Sequence, residues 1–259
     1  MRISFIGSGR VATHLAKELS KHHQIVQILG RNLEHAKTLA NLVDAYPIEV
    51  YEKLDKNIDL LIIAVSDQAI SKVIQEVDSY LENVLIVHTS GSTNLSVLTD
   101  HHKRSGVFYP LQTFSLEREI DWGNTPLFVE ASSSKDKETL TQLANSLSRR
   151  VYQYSSSQRL SLHLAAVFAC NFSNYCYDMA KQVVDAQDVD FSLLYPLILE
   201  TASKVTQNDP EKMQTGPAVR GDQNILNMHG KMLEKVGRDD LKKVYQLLSK
   251  QIRDKHSSY

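Results

Sequence analysis

Gly7-Ser8-Gly9-Arg10-Val11-Ala12 has G-x-G-x-x-A spacing, and it lies between an apolar run (residues 3–6) and a helical pattern built on Val11, Ala12, Leu15, Ala16 and Leu19. In that context each small residue has a job. Gly7 lets the chain turn off the strand, Gly9 lets a pyrophosphate approach the backbone and the positive helix N-terminus, and Ala12 keeps helix and strand close. Ser8, Arg10 and Val11 complete the loop around such a ligand. A tight turn that binds nothing is the alternative for the same letters.

The second strand ends at Leu29, about twenty residues past the glycines, where a carboxylate would hold a 2′-hydroxyl. Here Gly30, Arg31 and Asn32 follow instead. A missing acid removes repulsion toward a 2′-phosphate, and a guanidinium can grip that phosphate with two parallel hydrogen bonds. The pattern favours NADP over NAD, although Arg31 would also serve as a solvated residue opening a helix.

Further polar residues stand at strand ends and helix starts. Val65-Ser66-Asp67 closes one strand, where Ser66 and Asp67 read as a helix N-cap near the cofactor ribose. Val87-His88-Thr89-Ser90-Gly91-Ser92 closes the next. His88 is either an orienting group of the reaction or a satisfied core histidine, and Ser90 belongs to a cradle for the nicotinamide amide or a carboxylate. His163 opens an apolar helix interrupted by Asn171. A histidine there can donate or accept a proton near neutral pH, or make an interdomain structural hydrogen bond. Arg220, between Gly216 and Gly221 in a loop leading to Asp222, can clamp a substrate anion or pair locally with Asp222. His229 is a weaker candidate of the same kind. In Tyr109-Pro-Leu-Gln-Thr-Phe114, Gln112 and Thr113 read as the hydrogen-bonding side chains.

The elements that must position these residues follow from periodicity. Apolar runs at 3–6, 25–29, 60–65, 84–88, 106–109, 126–130 and 151–154, with a weaker one near 45–50, alternate with helical stretches around 36–42, 69–77 and 137–147. Continuous apolar strands belong to a parallel sheet covered on both faces, so residues 1–154 read as a doubly wound, mainly parallel α/β domain. Residues 155–259 read as an all-helical domain for substrate binding and dimerisation. It opens with an N-cap from the serine triplet Ser155-Ser-Ser157 and a helix over 158–186, and further helices lie near 191–206, 222–236 and 239–255. The long helix is apolar nearly all round between Leu164 and Phe172, which predicts burial on every side, most simply against the other subunit of a homodimer.

Composition excludes several alternatives. The 259 residues carry a net charge of −1, which argues against a nucleic-acid or anionic membrane surface. No apolar stretch approaches the roughly 20 residues of a membrane span. Cys170 and Cys176 lie in one helical pattern without C-x-x-C or zinc spacing, so reduced thiols, a cytoplasmic setting and a metal-free reaction are expected.

Taken together, Gly7–Ala12, Ala64-Val-Ser-Asp67, His88-Thr-Ser-Gly91, Tyr109–Phe114, His163-Leu-Ala-Ala-Val-Phe168 and Gly216-Pro-Ala-Val-Arg-Gly-Asp222 resemble a bacterial family. Its members pair an NADP-binding Rossmann domain with a C-terminal helical domain of unknown function. More distantly the chain is similar to the 6-phosphogluconate dehydrogenase-like superfamily, which includes pyrroline-5-carboxylate reductase, prephenate dehydrogenase and deazaflavin-dependent NADP oxidoreductases. The resemblance implies an oxidoreductase with its site between the domains and a dimer built from the helical parts. The superfamily's β-hydroxyacid dehydrogenases carry a lysine and, four residues later, an asparagine on the interdomain helix. Here His163 stands at what looks like the lysine's place and Val167 at the i+4 position, which argues against a simple sugar-acid or hydroxyacid dehydrogenase. The expectation is hydride transfer between NADP and a small carboxylate-bearing carbonyl, imine or alcohol. His163 would be acid or base, His88 and Asn171 orienting groups, and Arg220 with Gln112 the substrate contacts. The alternative is a non-catalytic NADP(H)-binding sensor or regulatory dimer.

Overall fold

The structure, a computed structural model, describes residues 1–256. Eight strands form one sheet: β1 (Arg2–Ile6), β2 (Gln24–Leu29), β3 (Tyr46–Ile48), β4 (Leu60–Ile63), β5 (Leu85–His88), β6 (Ser105–Pro110), β7 (Leu127–Ala131) and β8 (Val151–Gln153). Their order is β3-β2-β1-β4-β5-β6-β7-β8. Every pairing is parallel except β6 with β7, so the last two strands run against the rest. All eight runs expected from the sequence are strands, and the doubly wound expectation holds.

The helices alternating with these strands are α1 (Arg10–Leu19), α2 (Leu33–Leu42), α3 (Asp67–Val77), the short α4 (Ser96–Thr99) and α5 (Ser134–Leu147). Alternate residues of each central strand feed different cores. Phe5, Leu60, Ile62 and Val87 join Leu15, Leu19, Leu39 and Leu140 from α1, α2 and α5. On the opposite face Ile6, Leu61, Ile63 and Ile86 meet Ile70, Val73 and Ile74 of α3 and Leu98 of α4. Each such side chain contributes about 1.5–3 kcal/mol on burial, so β4, buried along its whole length, anchors both layers.

The long helix is not uniform. α6 (Ser156–Ala166) is followed by a π-helical stretch, Val167–Phe172, and then by α7 (Ser173–Asp185). The Ser155 cap is present as a capping box with Gln158. The chain divides into two compact units at Asn171/Phe172. α6 stays with the sheet because Leu162 packs on Val107, Tyr109 and Phe128, and because Arg159 is sealed there at 1% exposure.

The second unit holds α7, α8 (Tyr195–Gln207), α9 (Gln223–Lys235) and α10 (Asp239–His256). α8 begins after a 3₁₀ turn, with Pro196 in its first turn where a missing N–H costs nothing. Asp222 caps α9, accepting from Ile225 N at 3.3 Å. The expected burial of the apolar helix is not met within the chain: Leu164, Phe168 and Phe172 are half or more exposed. No helix among the described residues is long and apolar enough to cross a membrane.

Candidate active site

The turn after β1 is held by three neighbouring strand ends. Gly7 N donates to Leu29 O at 2.7 Å, and Gly7 has φ +117°. A Cβ there would lie 2.2 Å from Ala64 O, so only glycine lets β1 and β4 approach so closely. Gly9 caps α1 in extended geometry without a side-chain bond, and nothing stands within 4 Å of where its Cβ would be. The first turn of α1 carries no acid. Open space over unpaired helix N–H groups is the shape and charge a pyrophosphate requires.

A cleft of about 630 Å³ runs from this turn along the carboxyl ends of the parallel strands, where α/β sheets bind ligands. Gly7, Ser8, Gly9, Arg10, Val11, Arg31, Asn32, Val65, Ser66 and Ser90 all line it, as do Gln112 and His163. At the end beyond β2, a Cβ on Gly30 would come within 3.0 Å of Ser8 Oγ and 3.1 Å of Ala36 Cβ. The turn carries no carboxylate, and this end of the cleft is lined by Arg31, Asn32, His35 and Tyr51. Asn32 has a second duty, since its Oδ1 accepts from His35 N at 3.2 Å and caps α2. These residues fit a 2′-phosphorylated dinucleotide.

At the other end two residues from different elements meet. Tyr109, next to last in β6, has its Oη 3.3 Å from His163 Nδ1 of α6, and both line the cleft. Gly91 makes the meeting possible: a Cβ there would be 2.7 Å from His163 Nδ1 and 2.8 Å from Tyr109 Oη. Burial pushes the Tyr109 phenol up to about 12; Arg159 pulls the other way, and Asp67 adds to the rise. Sequence alone does not single out Tyr109. A tyrosine in an apolar strand looks like core, and its partner lies 54 residues away.

His88 requires a correction. It is fully buried at the end of β5 and is not part of the cleft wall. Its Nδ1 accepts from Ser90 N at 3.2 Å, while Nε2 has no partner among the described residues. Burial, reinforced by the Arg159 charge, holds its pKa down to about 3, so the ring is neutral. Direct contact with reacting atoms is closed to it, and its effect passes through the loop it anchors. Ser90 Oγ continues that loop by accepting from Ser92 N at 3.1 Å and Thr93 N at 2.9 Å.

Arg159, which carries no motif or spacing signal, ties the same loop to α6. Its guanidinium donates to the carbonyls of Gly91 (3.3 Å) and Thr93 (2.9 and 3.0 Å) and to Glu130 Oε2 (3.2 Å). Glu130 in turn accepts from Ser156 N and Oγ at the start of α6. Across the cleft rim Ser92 Oγ donates to Asp67. Ser66 occupies the N-cap position of α3, but its side chain makes no capping bond, contrary to the sequence expectation.

Gln112 is exposed at the cleft edge, where its Oε1 accepts from Thr113 N at 2.8 Å. Asn171 is exposed in the π-helical stretch and is not in the cleft wall, so the orienting role expected for it has no contact behind it. In the helical unit Arg220 is exposed, and the local pairing with Asp222 does not form. His229 is engaged by Tyr245, with Nδ1 2.9 Å from its Oη.

Residues 2–91 match the family described as NADP oxidoreductase, coenzyme F420-dependent, and residues 125–252 match a domain of unknown function, DUF2520. No curated protein matches the chain. Among solved structures, a Bacteroides fragilis protein designated an NADP oxidoreductase is 40% identical, with a TM-score of 0.92 and 98% of each chain covered. An imine reductase from Myxococcus stipitatus in complex with NADP⁺ shares the fold at 16% identity, with a TM-score of 0.72 over 100% of this chain and 95% of that one. Pyrroline carboxylate reductase from Plasmodium falciparum with NADP bound does so at 15% identity and a TM-score of 0.57, over 100% and 97%. The chain therefore belongs, with the Bacteroides protein, to the family of NADP oxidoreductases that carry a C-terminal DUF2520 domain.

Proposed function

We propose that the protein transfers hydride between NADP(H) and a small carbonyl, imine or alcohol, with the Tyr109–His163 pair managing the proton. The observation that carries this reading is the 3.3 Å contact of the pair in the wall of the cleft that the Gly7–Val11 turn opens. When bound, the nicotinamide supplies the two-electron chemistry. Gly9 and the first turn of α1 bind the phosphates, and Arg31 with Asn32 selects the 2′-phosphate. Ser90 and Gly91 shape the reacting end, and the pair gives or takes the proton on the substrate heteroatom. Arg220, exposed on the helical unit, is the cation we assign to a substrate carboxylate.

The same proposal includes a homodimer. Leu193, Leu197 and Leu199, all within the second unit, are each more than 60% exposed, and large apolar side chains left in water favour burial against a second copy. NADPH-linked reduction and two unpaired thiols suit the cytoplasm.

The test follows NADPH absorbance with a panel of 2-oxo acids, their alcohols and cyclic imines, alongside thermal shifts with NADP⁺ and NAD⁺. Turnover of a panel member, with larger stabilisation by NADP⁺, is expected. No stabilisation by either dinucleotide would overturn the proposal.

A further inference from the structure

We infer that the Tyr109 hydroxyl is the group that hands the proton to the substrate, and that His163 replenishes it through Nδ1. This rests on the oxidoreductase reading above and assigns the order of proton movement within its site. Three observations bear on the order. Tyr109 is fixed by the sheet: it is one residue from the carboxyl end of β6, beside the β5 loop, and its ring packs against Phe128. The one hydrogen-bond partner recorded for its Oη among the described residues is His163 Nδ1. Gly91 Cα backs the contact so closely that no side chain can intervene.

Two states of the pair follow. When His163 is neutral, Oη–H donates to Nδ1, the one protein acceptor in reach among the described residues. The ring then carries its own proton on Nε2. When His163 is an imidazolium, Nδ1–H donates to Oη and the phenolic hydrogen turns to the cleft. As hydride reduces the substrate carbon, Oη–H breaks and a bond from that hydrogen to the substrate oxygen or nitrogen forms. Nδ1–H breaks and Oη–H forms again. The substrate gains one hydride and one proton, the imidazolium becomes neutral imidazole, and Tyr109 ends as it began. A phenol held near 12 would be a poor acid alone, because it would be left as a phenolate in a buried place. The relay never leaves it ionised.

The deciding measurement is long-range ¹H–¹⁵N NMR on the full-length protein with ¹⁵N-labelled histidine, with the His163 signals assigned by His163→Gln. Spectra are recorded over a pH series, and the tautomer is read from the neutral ring. The wild type is expected to show the Nε2–H tautomer at His163, with and without NADP⁺. Tyr109→Phe should convert this to a mixture. A wild-type Nδ1–H tautomer, or one unchanged in Tyr109→Phe, would overturn the inference. The wild-type spectrum decides even if the variant does not fold. With any panel substrate, Tyr109→Phe should lower kcat about 100-fold or more with KM within about threefold. Retained turnover would assign delivery to His163 instead. Absence of dinucleotide binding in the thermal-shift assay would reject the underlying function separately, since the tautomer is read without turnover.

Discussion

Arg159 Nη2 lies 3.2 Å from Glu130 Oε2, and the same guanidinium holds the carbonyls of Gly91 and Thr93. One ion pair thus joins the end of β7, the start of α6 and the loop that backs the Tyr109–His163 contact. With Arg159 at 1% exposure, removing its partner leaves a buried cation uncompensated. Glu130→Ala should cost roughly 3 kcal/mol in urea unfolding, a loss typical of breaking such a pair. A change within experimental error would mean the carbonyls alone satisfy the guanidinium.

Gly7 and Gly9 should respond differently to the same change. Gly7→Ala puts a methyl 2.2 Å from Ala64 O at a φ of +117°, so it should destabilise by on the order of 2 kcal/mol or more. Gly9→Ala meets open space, and its stability should stay within about 0.5 kcal/mol. Its NADP⁺ affinity should nevertheless fall about tenfold, because the methyl occupies the phosphate's approach. Equal thermal shifts for the two variants would contradict this division.

Arg31 is predicted to set cofactor choice. Arg31→Ala should weaken NADP⁺ binding by about 10- to 100-fold, the loss of a charge-assisted contact of about 1.5–3 kcal/mol. NAD⁺ binding should change little. Calorimetry with both dinucleotides checks this, and a parallel loss for the two would place Arg31 outside the 2′-phosphate site.

His88 should make the fold acid-sensitive. Its pKa is depressed from 6.5 to about 3, so the unfolded chain takes up a proton the folded state refuses. The native state keeps its full advantage above pH 6.5 and loses it as pH falls toward 3, by on the order of 4 kcal/mol over that range. His88→Asn keeps an acceptor for Ser90 N without titrating. Its urea midpoint should fall less between pH 6.5 and 4 than that of the wild type, and parallel curves would refute the assignment.

Self-association can be read directly. Sedimentation of the wild type should give twice 29.3 kDa, and Leu164→Glu with Leu199→Glu should shift it toward the monomer. A monomeric wild type at micromolar concentration would exclude the dimer.

Much of this architecture was legible because burial on both faces leaves unbroken apolar runs such as Leu60–Ile63, and because a glycine turn has few uses after such a strand. The residues we assign to the cofactor are legible because they are local in sequence, from Gly7 to Asn32. The chemical half was not. Tyr109 and Arg159 act through partners that only folding brings near, and neither carries a spacing signal. His88 and His163 read alike as letters, yet one is sealed behind the loop and the other faces the cleft. The π-helical stretch had no cue either, since Val167–Phe172 is ordinary helix composition.

The reversal of strand order between β1 and β4 separates two tasks. The residues we assign to dinucleotide choice follow β2 on one side, and those we assign to the proton belong to β6 and α6 on the other. On that assignment, coenzyme preference is rewritten around Arg31 and Asn32 while the reacting end keeps its geometry. In this chain, retargeting to the unphosphorylated coenzyme and altering the substrate are separable engineering problems.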